Sequence, residues 1–215
     1  MKTFALALYK LLPTQAMLLK ACYRGRFLRP FYCPFKGLRN LPQRLRMQSY
    51  FTSDLHLGHK AITKYRSQFS SAQEHDEAIF TMLESFPKRT LMHILGDFLF
   101  DGPKLNYYIL RLSNLPYKIK LVLGNHDSRL LYTRCPSNIE IQLPFYSYKN
   151  MWVSHCPIHP QELRSRIGCI HGHLHGGIVH HCDGEPDERY FNVNLDNNDF
   201  KPVPLETIIS HFKGN

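Results

Sequence analysis

The first 53 residues of this 215-residue chain contain no aspartate or glutamate, although they carry ten lysines and arginines. The whole chain has 27 basic and 17 acidic residues and a formal net charge of +10. Removing the first 53 residues leaves 17 basic residues against 17 acidic ones. The body of the protein is therefore electroneutral, and its charge gives no support to a domain that binds polyanions.

Cysteine pairs, long apolar runs and internal repeats are also missing. No two of the six cysteines form a CxxC pair, which argues against a zinc ribbon or a disulfide framework and favours free thiols in a reducing compartment such as the cytoplasm. The apolar stretch at residues 4–9 is too short for a transmembrane helix and poor for a secretory signal. The length and the 43% hydrophobic composition fit one globular domain.

We predict a basic N-terminal extension at residues 1–46, outside the core, and a single domain at residues 47–215. Three interpretations of the extension stay open. It is an unstructured leader, with Met47 opening the true domain, or an organelle transit peptide, or a basic helix that contacts a membrane surface. The sequence does not indicate an oligomeric state.

Short apolar runs that end in tight polar turns recur along the rest of the chain. They lie at residues 49–52, 91–95, 119–123, 151–153 and 167–170. Helical spacing occurs between them at residues 74–86 and 104–112, a strand-like alternation at 191–195 and a closing element at 204–212. Apolar runs alternating with helices predict an α/β domain, in which ligands bind at the carboxyl ends of the strands.

Each of these turns carries residue types that bind metals. In an extended segment, residues two apart share a side, so Asp54 and His56 can meet one cation. By the same rule His171, His173 and His175 share a side. Asp97 follows a strand and its two oxygens can bridge two ions.

The remaining two turns add further ligand types. Asn125 offers a neutral oxygen, His126 can reach a substrate as an acid, and Asp127 can orient its ring. His155 follows the fourth apolar run. Each pattern alone fits an ordinary turn or surface residue, but their common position after apolar runs predicts a site for two ions that share a carboxylate.

In these motifs the chain resembles the calcineurin-like metallophosphoesterases, most closely their small, cap-less phage and bacterial members. The motifs are DLHLGH, GDF, GNHD, SHCP and GHLH, and the resemblance runs from about residue 50 to residue 212. It implies a four-layer α/β/β/α sandwich with two mixed sheets and the site at one end of the strands.

The resemblance also implies the parts of the site. Two divalent ions (Mn, Fe, Zn or Ni) would be bound, with Asp97 bridging them. The ligands of the first would be Asp54, His56 and His175, and those of the second Asn125, His155 and His173. His126 would contact phosphate and protonate the leaving group, with Asp127 as its partner and Asn125 also binding substrate. His59, His159 and His171 receive no role.

The resulting expectation is a metal-dependent hydrolase of phosphate esters. A hydroxide that bridges the ions would attack phosphorus in line, without a covalent phosphoenzyme. A domain this short has no room for a cap, so an open site and phosphodiesters are favoured over monoesters. Two alternatives stay open: a nuclease acting on DNA or RNA, and a non-catalytic interaction module on the same fold.

Overall fold

The computed structural model describes residues 47–100 and 102–214, so the extension predicted at residues 1–46 lies outside the described residues. The strands are β1 (Gln48–Thr52), β2 (Thr90–Leu95), β3 (Lys118–Val122), β4 (Ile139–Ile141), β5 (Phe145–Tyr148), β6 (Met151–Ser154), β7 (Gly168–His171), β8 (Tyr190–Asn192) and β9 (Val203–Pro204). The helices are α1 (Ala72–Glu84), α2 (Leu105–Ser113), α3 (Leu131–Arg134), α4 (Pro160–Leu163) and α5 (Leu205–Lys213). Single 3-10 turns lie at Ile62–Lys64 and Leu195–Asn197.

The strands form two mixed sheets, as predicted. The first has the order β4-β3-β2-β1-β9 and is parallel except for β9, and the second has the order β5-β6-β7-β8 and is parallel except for β5. Thr52 of β1 pairs with Ile94 of β2, and Leu95 pairs with Val122 of β3. The carboxyl ends of β1, β2 and β3 therefore meet at one edge.

Three apolar layers, packed between the helices and the two sheets, follow from the alternation along these strands. Met92 and Ile94 of β2 face α1 and α2 in one apolar cluster, whereas Leu95 faces the second sheet. The layer between the sheets includes Val153 and Ile170, together with the buried face of α5. On the outer side of the second sheet the helical layer is the single turn of α4, whose Leu163 packs there.

The predicted helices are confirmed with small shifts of their ends. Helix α1 begins before the predicted residue 74 because the hydroxyl of Ser71 accepts a hydrogen bond from the backbone N–H of Glu74. The Glu74 carboxylate in turn accepts from the backbone N–H of Ser70. This is a variant of the capping box. In the described part of the chain, no helix has the length and apolar character that crossing a membrane requires.

The strand predicted at residues 191–195 is wrong in its second half. Strand β8 ends at Asn192, and the side-chain oxygen of Asn194 accepts from the backbone N–H of Asp196 to start a 3-10 turn. Strands β4, β5 and β9 were not predicted from the sequence. These strands are short, and β5 alternates between exposed and half-buried positions, so none shows an apolar run.

A histidine lies in the apolar layer between the sheets. His93 of β2 is fully buried, stacks on Phe51 and forms a hydrogen bond between Nδ1 and the hydroxyl of Tyr146 in the second sheet at 2.5 Å. Its Nε2 has no hydrogen-bond partner. Burial, with a smaller effect of Lys120, lowers the pKa of His93 to about 3, so the native state holds a neutral ring.

We expect His93 to make folding stability fall with acid. The unfolded chain binds a proton on this ring below about pH 6.5, whereas the folded protein does so only near pH 3. The neutral ring contributes its full share of the free energy of unfolding above pH 6.5. Between pH 7 and pH 5 this share falls by about 2 kcal/mol. Urea denaturation of the His93→Phe, Tyr146→Phe double variant should show a smaller loss over this range than the parent. Equal losses would contradict the assignment.

Candidate metal centre

Hydrogen bonds donated by backbone N–H groups join the turns at the strand ends. The N–H of Asp54 donates to the carbonyl of Gly96 at 3.0 Å, which joins the first two motifs. The N–H of Gly172 donates to the carbonyl of His155 at 2.8 Å, which joins the last two. The N–H of His173 donates to Oδ2 of Asp54 at 3.0 Å. This last bond connects the turns of the two sheets, so the site lies where both sheets end.

Asp54, His56 and His175 form one cluster of ligand types. Their ligand atoms lie within 4.8 Å of one another, and the Nε2 atoms of His56 and His175 are 3.4 Å apart. Burial is the main cause that lowers the pKa of His56 to about 2, so its ring stays neutral, as a metal ligand must be. Oδ1 of Asp54 is buried without a hydrogen-bond partner and lies 4.0 Å from Nε2 of His175.

His155 is the centre of a second cluster. Its Nε2 lies 3.1 Å from Oδ1 of Asn125, 3.2 Å from Nδ1 of His173 and 3.5 Å from Oδ1 of Asp97. Its Nδ1 lies 2.7 Å from the carbonyl oxygen of Leu95 and donates to it, which leaves a lone pair on Nε2. In a neutral ring that lone pair faces the oxygens of Asn125 and Asp97, an arrangement that a cation stabilises.

Asp97 lies between the two clusters. Its carboxylate, that of Asp54 and Nε2 of His155 form a third group within 4.8 Å. Both carboxylates are almost fully buried, at 2% and 0% exposure. A buried carboxylate needs a positive partner or several hydrogen bonds, and a metal ion between the clusters would supply that partner. The oxygen and nitrogen donors therefore fit divalent cations.

The backbone at the candidate ligands is not extended, contrary to the expectation from strand periodicity. Five ligand positions have φ between 48° and 68°, in the left-handed region that is uncommon for residues with a side chain: Asp54, His56, Asp97, His173 and His175. Consecutive ligands converge because their turns are left-handed, not because they share the side of an extended strand. Such conformations concentrate at functional sites, where the surrounding structure enforces them.

The three alternate histidines of the last motif do not share a side either. His173 faces His155, and His175 faces His56, so each joins a different cluster. His171 is 1% exposed, and burial is the main cause that lowers its pKa to about 4. Its Nδ1 lies 2.8 Å from the carbonyl oxygen of Gly172. His171 is therefore a core residue outside both clusters.

Glycines leave room for these ligands. Gly96 has φ +84°, and a Cβ there would overlap the ring of His155. A Cβ on Gly172 would overlap Ser53 and approach Oδ2 of Asp54 to 2.6 Å. The glycines of the motifs are thus required by the close approach of backbone and ligand.

A sequence profile of calcineurin-like phosphoesterases matches residues 47–213. The chain belongs to the calcineurin-like phosphoesterase family. It is a hydrolase that acts on phosphoric esters, in a family that uses divalent metal ions. The predictions of family, fold and enzyme class are confirmed.

The relatives of this phosphoesterase include two phage proteins. The Gene 66 protein of Mycobacterium phage L5 is 27% identical over 164 residues, which cover 61% of this chain and 79% of that protein. The Gene 66 protein of phage D29 is 28% identical over 177 residues, which cover 68% and 87%. Among solved structures, a protein of unknown function from Aquifex aeolicus, AQ665, superimposes with a TM-score of 0.57 at 24% identity and covers 76% of this chain and 98% of that one.

Asp127 does not hold the ring of His126, contrary to the sequence-based expectation. Its carboxylate accepts hydrogen bonds from the backbone N–H groups of Phe98, Leu99 and Gly124, at 2.7, 2.8 and 2.7 Å. These bonds tie the turn after β3 to the turn after β2. Asp127 therefore supports the site as a backbone anchor.

The exposed ring of His126 is oriented by aromatic stacking. It lies parallel to Phe100, with ring centroids 5.2 Å apart and an interplanar angle of 12°. Phe100 also stacks with His59, with ring centroids 4.7 Å apart. The backbone N–H of His126 donates to Oδ1 of Asp97 at 2.9 Å. The candidate acid is thus fixed beside the Asp97 carboxylate through its backbone and its stack.

Two residues that support the site were missed by the sequence analysis. Arg66 is 2% exposed and donates to both carboxylate oxygens of Asp196, at 2.8 and 3.1 Å. It also donates to the carbonyl oxygens of Asp54 and Leu55. Oδ2 of Asp196 lies 3.1 Å from Nδ1 of His175, and this hydrogen bond is the main cause that raises the pKa of His175. No spacing signal connects residues 130 positions apart, so only the fold could reveal this pair.

We expect Arg66→Lys to weaken Mn²⁺ binding about tenfold, because one ammonium cannot replace the planar guanidinium and outer partners of ligands contribute at least this factor. Asp196→Asn should weaken binding in the same direction. Isothermal titration of the metal-free, full-length protein measures both affinities.

Arg111→Lys is the matched control. Arg111 also binds two carboxylates, those of Glu77 and Glu84, but on the helical layer. The Arg111→Lys substitution should leave Mn²⁺ affinity unchanged. If Arg66→Lys and Arg111→Lys bind Mn²⁺ equally well, Arg66 does not support the metal centre.

Proposed function

We propose that this phosphoesterase hydrolyses phosphodiesters with two divalent ions held by the two ligand clusters. The observation that carries the proposal is the position of Asp97, whose carboxylate lies within ligand distance of both clusters. Asp54, His56 and His175 would hold one ion, and Asn125, His155 and His173 the other. Two such ions lower the pKa of a bound water towards 7 and offset charge on the phosphate oxygens.

The protein's own groups would complete the reaction. His126 is exposed next to His56, at 6.0 Å between ring centroids, and is held against Phe100. In this position it would donate a proton to the leaving oxygen. Asn125 is exposed at the same rim and would contact the phosphate group as well as the metal.

The shape and charge beside the clusters favour diesters over monoesters. A cavity of about 490 Å³ borders the first cluster and is lined by His56, His59, Ile62, Tyr65, Arg66, Phe100, His126, His175, Gly176 and Asp196. Among the described residues, Arg66 is the one Lys or Arg in this lining, and its guanidinium is already bound to Asp196 and backbone carbonyls. Residues 47–100 and 102–214 offer a monoester dianion no further Lys or Arg in this lining, whereas a diester carries a single negative charge.

We expect the Mn²⁺-loaded protein to hydrolyse bis(p-nitrophenyl) phosphate with a higher kcat/KM than p-nitrophenyl phosphate. Release of p-nitrophenol measures both, and chelation should abolish both. No turnover of either ester would contradict metal-dependent hydrolysis. Preference for the monoester would contradict the diester assignment, and faster cleavage of single-stranded DNA or RNA would favour the nuclease alternative.

His126→Ala should lower kcat by about 10²-fold or more while leaving the Mn²⁺ content unchanged, because a general acid contributes factors of this size. The loss should be greater for diphenyl phosphate, which expels phenolate, than for bis(p-nitrophenyl) phosphate, which expels p-nitrophenolate, since the poorer leaving group needs the proton more. His180→Ala, at an exposed histidine outside the cavity lining, is the control. Loss of metal together with activity would make His126 a ligand instead of an acid.

A further inference from the structure

Cys156 lies in the second ligand cluster, where the family assignment gives it no role. Strand β6 ends at Ser154 and the chain bends at residues 155 and 156. This bend directs two consecutive side chains to the same space. The ligand atoms of His155, Cys156 and His173 all lie within 4.8 Å of one another. Cys156 is exposed, whereas His155 is buried.

We propose that Cys156 is a sulfur ligand of the ion in the second cluster and biases that position towards thiophilic divalent ions, zinc above manganese. The proposal rests on the proposed function, because it needs an ion at His155 and His173. Thiolate ligands favour zinc, whereas oxygen ligands suit manganese and magnesium. One sulfur added to imidazole nitrogens and a carboxylate therefore changes which ion the cluster prefers.

The three ligand atoms lie close to the separation that one shared ion requires. Two ligands of the same ion are separated by at most the sum of their bond lengths, about 4.4 Å for a Zn–S and a Zn–N bond. The two imidazole nitrogens are 3.2 Å apart, and the sulfur lies within 4.8 Å of both. Coordination requires a sulfur position at most about 4.4 Å from each nitrogen, which is about 0.4 Å inside the 4.8 Å bound.

The backbone at this position is already fixed. The hydroxyl of Ser154 donates to the carbonyl oxygen of Cys156 at 2.6 Å, and Pro157 restricts the next residue. On coordination the Sγ–H bond breaks, its proton leaves to solvent, and the sulfur electron pair forms the bond to the cation. Ordering this short side chain costs little entropy compared with a long one.

The other cysteines in the described part of the chain lie elsewhere. Cys169 is fully buried and its sulfur lies 3.6 Å from the hydroxyl of Ser154. Cys135 is half-buried and Cys182 is exposed. Among residues 47–100 and 102–214, Cys156 is the one cysteine that joins a cluster of metal-ligand types. Cys182→Ser therefore provides a matched control for a substitution at an exposed thiol.

The test uses the full-length protein loaded with Co²⁺, whose visible ligand-field bands report that the ion is bound. We expect an additional thiolate-to-cobalt charge-transfer band in the near ultraviolet. Cys156→Ser should lose this band and keep the ligand-field bands, whereas Cys182→Ser should keep both. Thermal unfolding of each variant checks that the fold is retained.

The outcomes separate this proposal from the metal centre itself. Ligand-field bands without the charge-transfer band in the parent protein would overturn the sulfur ligand and leave the two clusters intact. Persistence of the charge-transfer band in Cys156→Ser would also overturn it. Absence of all cobalt bands in the parent would overturn the metal centre and the sulfur ligand together.

Competition between Zn²⁺ and Mn²⁺ provides a second readout that does not depend on activity. Cys156→Ser should lower the preference for Zn²⁺ over Mn²⁺ by at least about tenfold, the lower end of the effect of residues that only support a ligand. Cys182→Ser should leave the ratio unchanged. An unchanged ratio in Cys156→Ser would mean that the sulfur does not contribute to the choice of ion.

Discussion

The structure depends on the burial of two carboxylates, Asp54 and Asp97, at a point where several histidine nitrogens converge. Nε2 of His175 lies 4.0 Å from Oδ1 of Asp54, and Nε2 of His155 lies 3.5 Å from Oδ1 of Asp97. Oδ1 of Asp54 has no hydrogen-bond partner. Placing buried carboxylates in such surroundings is unfavourable unless a cation binds between them. The left-handed backbone of these turns adds to that cost. Metal binding and the local backbone conformation of the site are therefore parts of one energy balance.

A chain of buried hydrogen bonds connects the turns that carry these carboxylates to the helical layer. The hydroxyl of Tyr108 in α2 donates to Asp76, which contacts Nδ1 of His75, and Nε2 of His75 accepts from Arg66. Asp76 also accepts from the N–H of Gly58 in the first motif. Because Arg66 then reaches Asp196 and the carbonyl of Asp54, the helices α1 and α2 hold the metal ligands through polar bonds as well as through apolar packing. Displacing one member leaves another buried polar group unpaired.

The sequence predicted the identity of the site better than its geometry. Apolar runs and the residue types after them predicted the α/β fold and a set of candidate ligands, which the family resemblance divided between two ions. The structure brings these residue types together. The prediction of which side each candidate ligand faces was wrong, because strand periodicity does not apply to left-handed turns such as those at Asp54 and His173. The predicted role of Asp127 was wrong because its side chain, although adjacent in sequence to His126, accepts hydrogen bonds from backbone N–H groups instead. Arg66 and Asp196 could not be predicted, since their relation exists only once the chain is folded.

The residues of this site fall into a buried group and an exposed group, and substitutions in the two groups have different consequences. Asp54, Asp97 and His155 are buried, and each is joined by backbone or side-chain bonds to a second strand end, so a change there disturbs several turns at once. Asn125, His126 and Cys156 are exposed at the rim and can change with little effect on the fold. If Cys156 and His126 act as proposed, the choice of metal and of leaving group depends on residues at the rim, whereas ion binding depends on the buried carboxylates beneath them.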